Sequence, residues 1–131
     1  MKAFVISDGE SVRPGVAAIL ASVPSVGMVD HCLDSLITPA RLRASGPDLV
    51  ILDLQETKRR VLEVLLWIRD HPPIPRIMVL ASPLDPTSWY LCCAAGADYA
   101  FDPLISTDRI VAALRRLGLS RASRKTVRNE G

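Results

Sequence analysis

An open α/β sheet of parallel strands, wound with helices on both faces, is the fold class this sequence predicts, and three observations point to it. Apolar runs of strand length, without polar alternation, take turns with helical patterns along nearly the whole chain, which is how strands buried on both faces read. The connections are only a few residues long and are punctuated by Pro, Gly or a capping side chain. Finally, 131 residues with 49% hydrophobic and 23% charged content suit one domain with a full core.

Ala3-Phe4-Val5-Ile6 is the first apolar run, and it ends on Ser7-Asp8-Gly9-Glu10. Ser11 is placed to cap a following helix with Pro14 in its first turn. Val16, Ile19, Leu20 and Val23 give that helix a core face, and Pro24 and Gly27 end it. A weaker second strand spans 26–32, and Asp30 and His31 mark it as an edge, with His31 read as solvated. A short helix over 38–44 has Thr38 as N-cap and Pro39 at its first helical position.

Gly46-Pro47 then delivers the chain into Asp48-Leu49-Val50-Ile51-Leu52-Asp53-Leu54, the most apolar strand. After Gln55-Glu56 comes the longest helical pattern, about 57–71. Its Val61, Val64, Leu65 and Ile68 fall at i, i+3, i+4 and i+7, with Lys58, Arg59, Glu63 and Arg69 facing away. Pro72, Pro73 and Pro75 stop it, with His71 beside the last carbonyls. The fourth strand, 76–81, ends on Ser82. Asp85-Pro86 reads as an N-cap and first helical residue, and the helix runs to about Ala95 with Gly96 as C-cap. The fifth strand, 98–101, ends at Asp102-Pro103. Thr107 caps a last helix carrying Ile110, Val111, Leu114 and Leu117, and Gly118 is expected to close it. The folded unit is thus read as 1–118. Residues 119–131, with Arg121, Arg124, Lys125 and Arg128 against Glu130, are read as a basic linker or disordered tail.

Five strand–helix units with right-handed crossovers most simply make a flavodoxin-like (βα)5 doubly wound parallel sheet of order 2-1-3-4-5. A net charge of +2 is too small for a nucleic-acid footprint, so no direct nucleic-acid binding by this domain is expected. No stretch is apolar enough to span a membrane, and the apolar run at the N-terminus is too short for a signal peptide. Cys32, Cys92 and Cys93 lack metal-ligand spacing and read as reduced thiols, in keeping with a cytoplasmic protein. Trp67 reads as packing, whereas Trp89 and Tyr90 suit packing and an interface equally.

In this fold the C-terminal ends of four strands converge on one rim carrying Ser7, Asp8 and Glu10, then Asp53, Ser82 and Asp102. Carboxylates gathered on one rim repel unless a cation or protons compensate. A hard divalent ion such as Mg²⁺ takes one or two carboxylates, backbone oxygen and water. A carboxylate beside such an ion can attack phosphorus to give an aspartyl phosphate, and Ser82 could then donate to a phosphoryl oxygen.

At these positions the chain resembles the receiver domains of two-component response regulators, over about residues 1–118. The resemblance makes Asp53, in Ile-Leu-Asp-Leu, the phosphoacceptor. It gives Mg²⁺ to Asp8, Asp53 and the backbone of Gln55, with Ser7-Asp8 matching the family's pair of acids. Ser82 and Tyr99 match its Ser/Thr and aromatic switch. The run from Gly96 to Pro103 matches the family's Gly-Ala-Asp-Asp-Tyr-Leu-x-Lys-Pro segment, with Asp102-Pro103 at the site of a cis peptide bond in relatives. Two departures stand out. Asp102 replaces the lysine that pairs with the phosphoryl group, and Ser7 replaces one metal-orienting acid. Reversing a unit charge at about 4 Å removes several kcal/mol at an effective dielectric near 20. Mg²⁺ is therefore expected to bind weakly or not at all.

The resulting expectation is an atypical or pseudo-receiver in a phosphorelay, not an enzyme, that signals through protein–protein contacts. Its partners would be a histidine kinase or an output domain or protein, with homodimerisation through the fourth helix, fifth strand and fifth helix. The alternative is a receiver phosphorylated at Asp53 by a histidine kinase. A nucleotide or flavin binder is more remote, because the acidic, Gly-poor loop after the first strand lacks Gly-x-Gly-x-x-Gly.

Overall fold

The computed structural model describes residues 1–54 and 58–130, and side chains for 1–54 and 59–119. Ten elements follow in strict alternation: β1 (Lys2–Ser7), α1 (Pro14–Ala21), β2 (Met28–Leu33), α2 (Pro39–Ser45), β3 (Leu49–Asp53), α3 (Lys58–Arg69), β4 (Arg76–Leu80), α4 (Pro86–Ala94), β5 (Tyr99–Phe101) and α5 (Thr107–Glu130). The five strands are parallel and lie in the order β2-β1-β3-β4-β5, as the strand–helix alternation predicts.

Strand residues alternate between two cores because successive side chains point to opposite faces. Phe4, Ile6, Val50, Leu52, Ile77 and Val79 face one layer, where Leu42 of α2, Val61, Leu65 and Ile68 of α3 and Cys92 of α4 pack. Ala3, Val5, Leu49, Ile51, Met78 and Leu80 face the other, against Val16 and Leu20 of α1 and Ile110 and Leu114 of α5. Every residue of β3 is buried, which is why its sequence shows no polar alternation.

The edge of the sheet where β3 and β5 begin is tied by two aspartates used in the same way. Asp48, just before β3, accepts from the Lys2 amide at 2.7 Å and donates its own amide to the Lys2 carbonyl at 2.9 Å. Asp98, just before β5, accepts from the Ile77 amide at 2.8 Å and donates to the Ile77 carbonyl at 2.9 Å. Each carboxylate therefore satisfies an amide of the strand beside its own.

Several boundaries depart from expectation for local reasons. Ser11 does not cap α1. The N-cap is Arg13, extended at φ −58° and ψ 142° without a side-chain cap, the conformation favoured before proline. Thr38 and Asp85 do cap their helices, accepting from the amides of Arg41 and Ser88. The edge strand β2 begins at Met28 instead of 26, after Gly27 has bonded back to the Met1 carbonyl. Gly96 takes a φ of 117° after α4, as a glycine past a helix end does.

Gly118 does not close α5. The helix passes through it to Glu130, and Gly118 is not among the positive-φ glycines. A Cβ at Gly118 would lie 2.6 Å from both Cβ and Oγ of Ser25, so this glycine serves close packing of α5 against the loop after α1. The Asp102–Pro103 bond is not among the cis peptide bonds, which are Pro72–Pro73 and Ser82–Pro83. The Asp102 carbonyl accepts from Ile105 at 3.1 Å, placing Pro103 second in a β-turn where a trans proline belongs. Among the described residues no helix is long and apolar enough to cross a membrane.

Candidate functional site

The register of the sheet assembles the rim. Ser7, Asp53 and Leu80 are aligned across β1, β3 and β4, so the last residue of β3 lies between two strand ends. Asp53 has no exposed surface. A buried carboxylate needs a partner, because desolvation penalises its charge heavily.

That partner is Arg13, which the sequence reading missed. Its Nε donates to Asp53 Oδ2 at 2.8 Å and its Nη2 donates to Oδ1, the fork-on-fork geometry that guanidinium and carboxylate share. Pro14 sets this up locally. It holds Arg13 extended at the mouth of α1 instead of coiling it into the helix, so the side chain can turn back over the sheet edge. The Asp53 hydrogen bond and charge hold the Arg13 guanidinium above its ordinary range, against the lowering effect of burial, and the Asp8 charge adds to this. A long polar residue directly before a helix-opening proline, in the loop after two strand-end polar residues, was the available signal.

Ser7 is buried at the end of β1. Its hydroxyl donates to the Gly9 carbonyl at 3.0 Å and lies 2.7 Å from His31 Nε2. A hydroxyl has one proton, so with that proton on Gly9 the serine accepts from His31. His31 is consequently half-buried and engaged with Ser7, not the solvated strand residue expected.

Asp102 is 8% exposed and is tied into the turn between β5 and α5. Its Oδ1 accepts from the Leu104 amide at 3.0 Å, its Oδ2 accepts from Ser82 Oγ at 3.4 Å, and its carbonyl accepts from Ile105 and Ser106. An aspartate bonding the amide two residues on is a standard turn former. Tyr99 is half-buried beside the core shared with α1 and α5, and its ring stacks on Phe101 at 5.9 Å. The rim residues are thus joined as Arg13–Asp53, Ser7–His31 and Ser82–Asp102. Gln55 lies outside the described residues. His71 does sit at the end of α3 against a carbonyl, that of Trp67, at 2.7 Å.

No family model matches the chain. It is 30% identical over 121 residues to protein-glutamate methylesterase/protein-glutamine glutaminase 5 of Anaeromyxobacter dehalogenans, a match covering 92% of this chain and 31% of that protein. A second relative of this kind, from Geobacter metallireducens, is 31% identical over 78 residues, 60% of this chain and 22% of its own length. The chain therefore spans less than a third of the curated relatives it matches. Among solved structures it superposes on the response regulator domain of Thermotoga maritima CheB with a TM-score of 0.73 at 16% identity, covering 90% of this chain and 96% of that one. It superposes on the signal receiver domain of NarL from Mycobacterium tuberculosis with a TM-score of 0.72 at 21% identity, covering 89% and 94%. This is the receiver-domain fold.

On this receiver fold the described rim residues at the expected Mg²⁺ positions already have partners within the chain. Both oxygens of Asp53 are taken by a cation that belongs to the chain. Ser7 offers a neutral hydroxyl already bonded to Gly9 and His31. Among the described residues no group of three or more His, Cys, Asp or Glu is placed to hold a metal ion.

Proposed function

We propose that the domain is an atypical receiver in two-component signal transduction that works as a protein-interaction module without phosphorylation of Asp53. The observation that carries this reading is Asp102. A nearly buried carboxylate stands where the receiver pattern has a lysine, and it already holds Ser82 and the turn into α5. A phosphoryl group arriving at the rim would meet negative charge where phosphoryl capture wants positive charge. The serine that would follow it is occupied. On this reading Asp53 is a phosphoacceptor by descent, Asp8 and Asp53 bind Mg²⁺ weakly or not at all, and Ser82 and Tyr99 are the remains of a switch.

The face available for partners is formed by α4, β5 and α5. Leu104 and Ile105 are 82% and 81% exposed, and Trp89 and Tyr90 are also exposed. Beside them lies a groove of about 350 Å³ lined by Leu84, Trp89, Phe101, Ile105 and Arg109 among others. Apolar side chains concentrated in this way mark contact surfaces. The partner would be a histidine kinase, an output domain or protein, or a second copy of the chain. Methylesterase and glutaminase activities belong to the proteins that carry those names, and no catalytic activity is proposed for this domain.

The test is exposure to Mg²⁺ with acetyl phosphate or beryllofluoride, read by intact mass and amide NMR. An unchanged mass and spectrum at saturating donor is expected. A phosphoryl mass gain that disappears in Asp53→Asn would establish the alternative, a phosphorylation-competent receiver.

A further inference from the structure

We propose that the Arg13 guanidinium is the resident cation of this rim, a counter-ion built into the chain that occupies the place of the divalent metal and makes the domain indifferent to Mg²⁺. The inference rests on the reading of the domain as phosphorylation-independent and goes beyond it by naming the residue that closes the site.

Asp53 is fully buried and Asp8 acts on the same guanidinium, so the rim needs positive charge whether or not phosphorus chemistry occurs. Arg13 supplies it through two hydrogen bonds, one to each carboxylate oxygen. A metal ion would have to displace that fork and leave the arginine without its partner. Its stem has a route to water, since the side chain is 38% exposed, but the displacement would exchange a charge tethered at the site for one drawn from dilute solution. A tethered charge is present at an effective concentration in the millimolar range or above, and its two hydrogen bonds to Asp53 are already formed. The chain folds so as to favour this occupancy, because Pro14 fixes the backbone that aims the side chain inward.

The experiment is a Mg²⁺ titration of the full chain at constant ionic strength, followed by thermal melting and NMR. In the wild type, the melting temperature and the amide signals of residues 8 and 53 should not change with millimolar Mg²⁺. In Arg13→Gln the uncovered carboxylates should take up the ion, giving a saturable rise in melting temperature with half-saturation roughly tenfold or more below any wild-type response. Saturable Mg²⁺ binding by the wild type, or an Arg13→Gln protein no more responsive than the wild type, would overturn the proposal. Should Arg13→Gln not fold, the wild-type Arg13 Nε–H resonance decides alone. Persistence of a slowly exchanging signal in Mg²⁺ supports the resident cation, and its loss overturns it. A phosphoryl mass gain at Asp53 in a Mg²⁺-silent wild type would sink the phosphorylation-independent reading while supporting Arg13 as the cation. Mg²⁺ binding without mass gain would do the reverse.

Discussion

Arg13→Gln removes the cation and leaves a shorter, neutral polar side chain, and the structure predicts a large and lopsided cost. Two unit charges about 4 Å apart attract by about 4 kcal/mol at an effective dielectric near 20. Stranding one member of a buried pair costs about 3–5 kcal/mol. Arg13 has its outer side open to solvent, 38% exposed against none for Asp53, and screening there lowers the expectation to about 3 kcal/mol. The reverse substitution, Asp53→Asn, should cost only about 1 kcal/mol, because the arginine it releases can turn to water while the asparagine still accepts a hydrogen bond. Urea unfolding at neutral pH is the assay. With a slope of about 2 kcal/mol per molar, the midpoint should fall by about 1.5 M for Arg13→Gln and about 0.5 M for Asp53→Asn. Equal losses, or a larger loss for Asp53→Asn, would refute the assignment of the buried charge to Asp53 and the replaceable one to Arg13.

Three further outcomes are expected. Gly118→Ala should lower the melting temperature although alanine is favoured in a helix by about 1 kcal/mol, because the new Cβ meets Ser25 at 2.6 Å. Adding Ser25→Gly should recover the loss, and a stabilised Gly118→Ala protein would contradict the close packing. The Ser45 hydroxyl, together with Lys2, holds the Asp30 carboxyl below the usual carboxylate range. Its contribution is therefore complete above the unfolded value near pH 4 and is lost as pH falls through the lowered one. Asp30→Asn should flatten the acid limb of stability against pH, by about 0.5 kcal/mol or less given the exposure of the pair, and an unaltered limb in acid titrations would count against it. Burial raises the Cys92 thiol, with a smaller push from Cys93, and burial alone raises Cys93. Iodoacetamide should modify half-exposed Cys93 before buried Cys92, both more slowly than a free thiol, and mass spectrometry showing Cys92 first would be inconsistent with their burial.

Much of the fold was legible because it is written in local patterns. The unbroken apolar run of β3, the i, i+3, i+4 spacing of Val61, Val64, Leu65 and Ile68, and the cap-then-proline pairs Thr38-Pro39 and Asp85-Pro86 each state their element within a few residues. The site was legible only in outline. Position alone pointed to Asp53, Ser82 and Asp102, but not to Arg13, which lies 40 residues from its partner in sequence and carries no periodic signal. His31 was misjudged for the same reason, since its bond to Ser7 crosses from β2 to β1. Gly118 looked like a helix stop because a missing side chain reads alike whether it frees the backbone or admits a neighbour. Only the approach of Ser25 tells the two apart.

The paired aspartates at the opposite edge of the sheet bear on how such a domain can change. Asp48 and Asp98 hold β3 and β5 against Lys2 and Ile77, and a one-residue slip of either strand would turn every buried side chain to the wrong face. Alignment is thus secured at the end of the sheet remote from the acidic rim. The rim can accept a serine at residue 7, an arginine fork on residue 53 and an aspartate at residue 102 without the strands losing their places. The architecture places the contacts that fix strand alignment at one end of the sheet and the charged groups of the rim at the other.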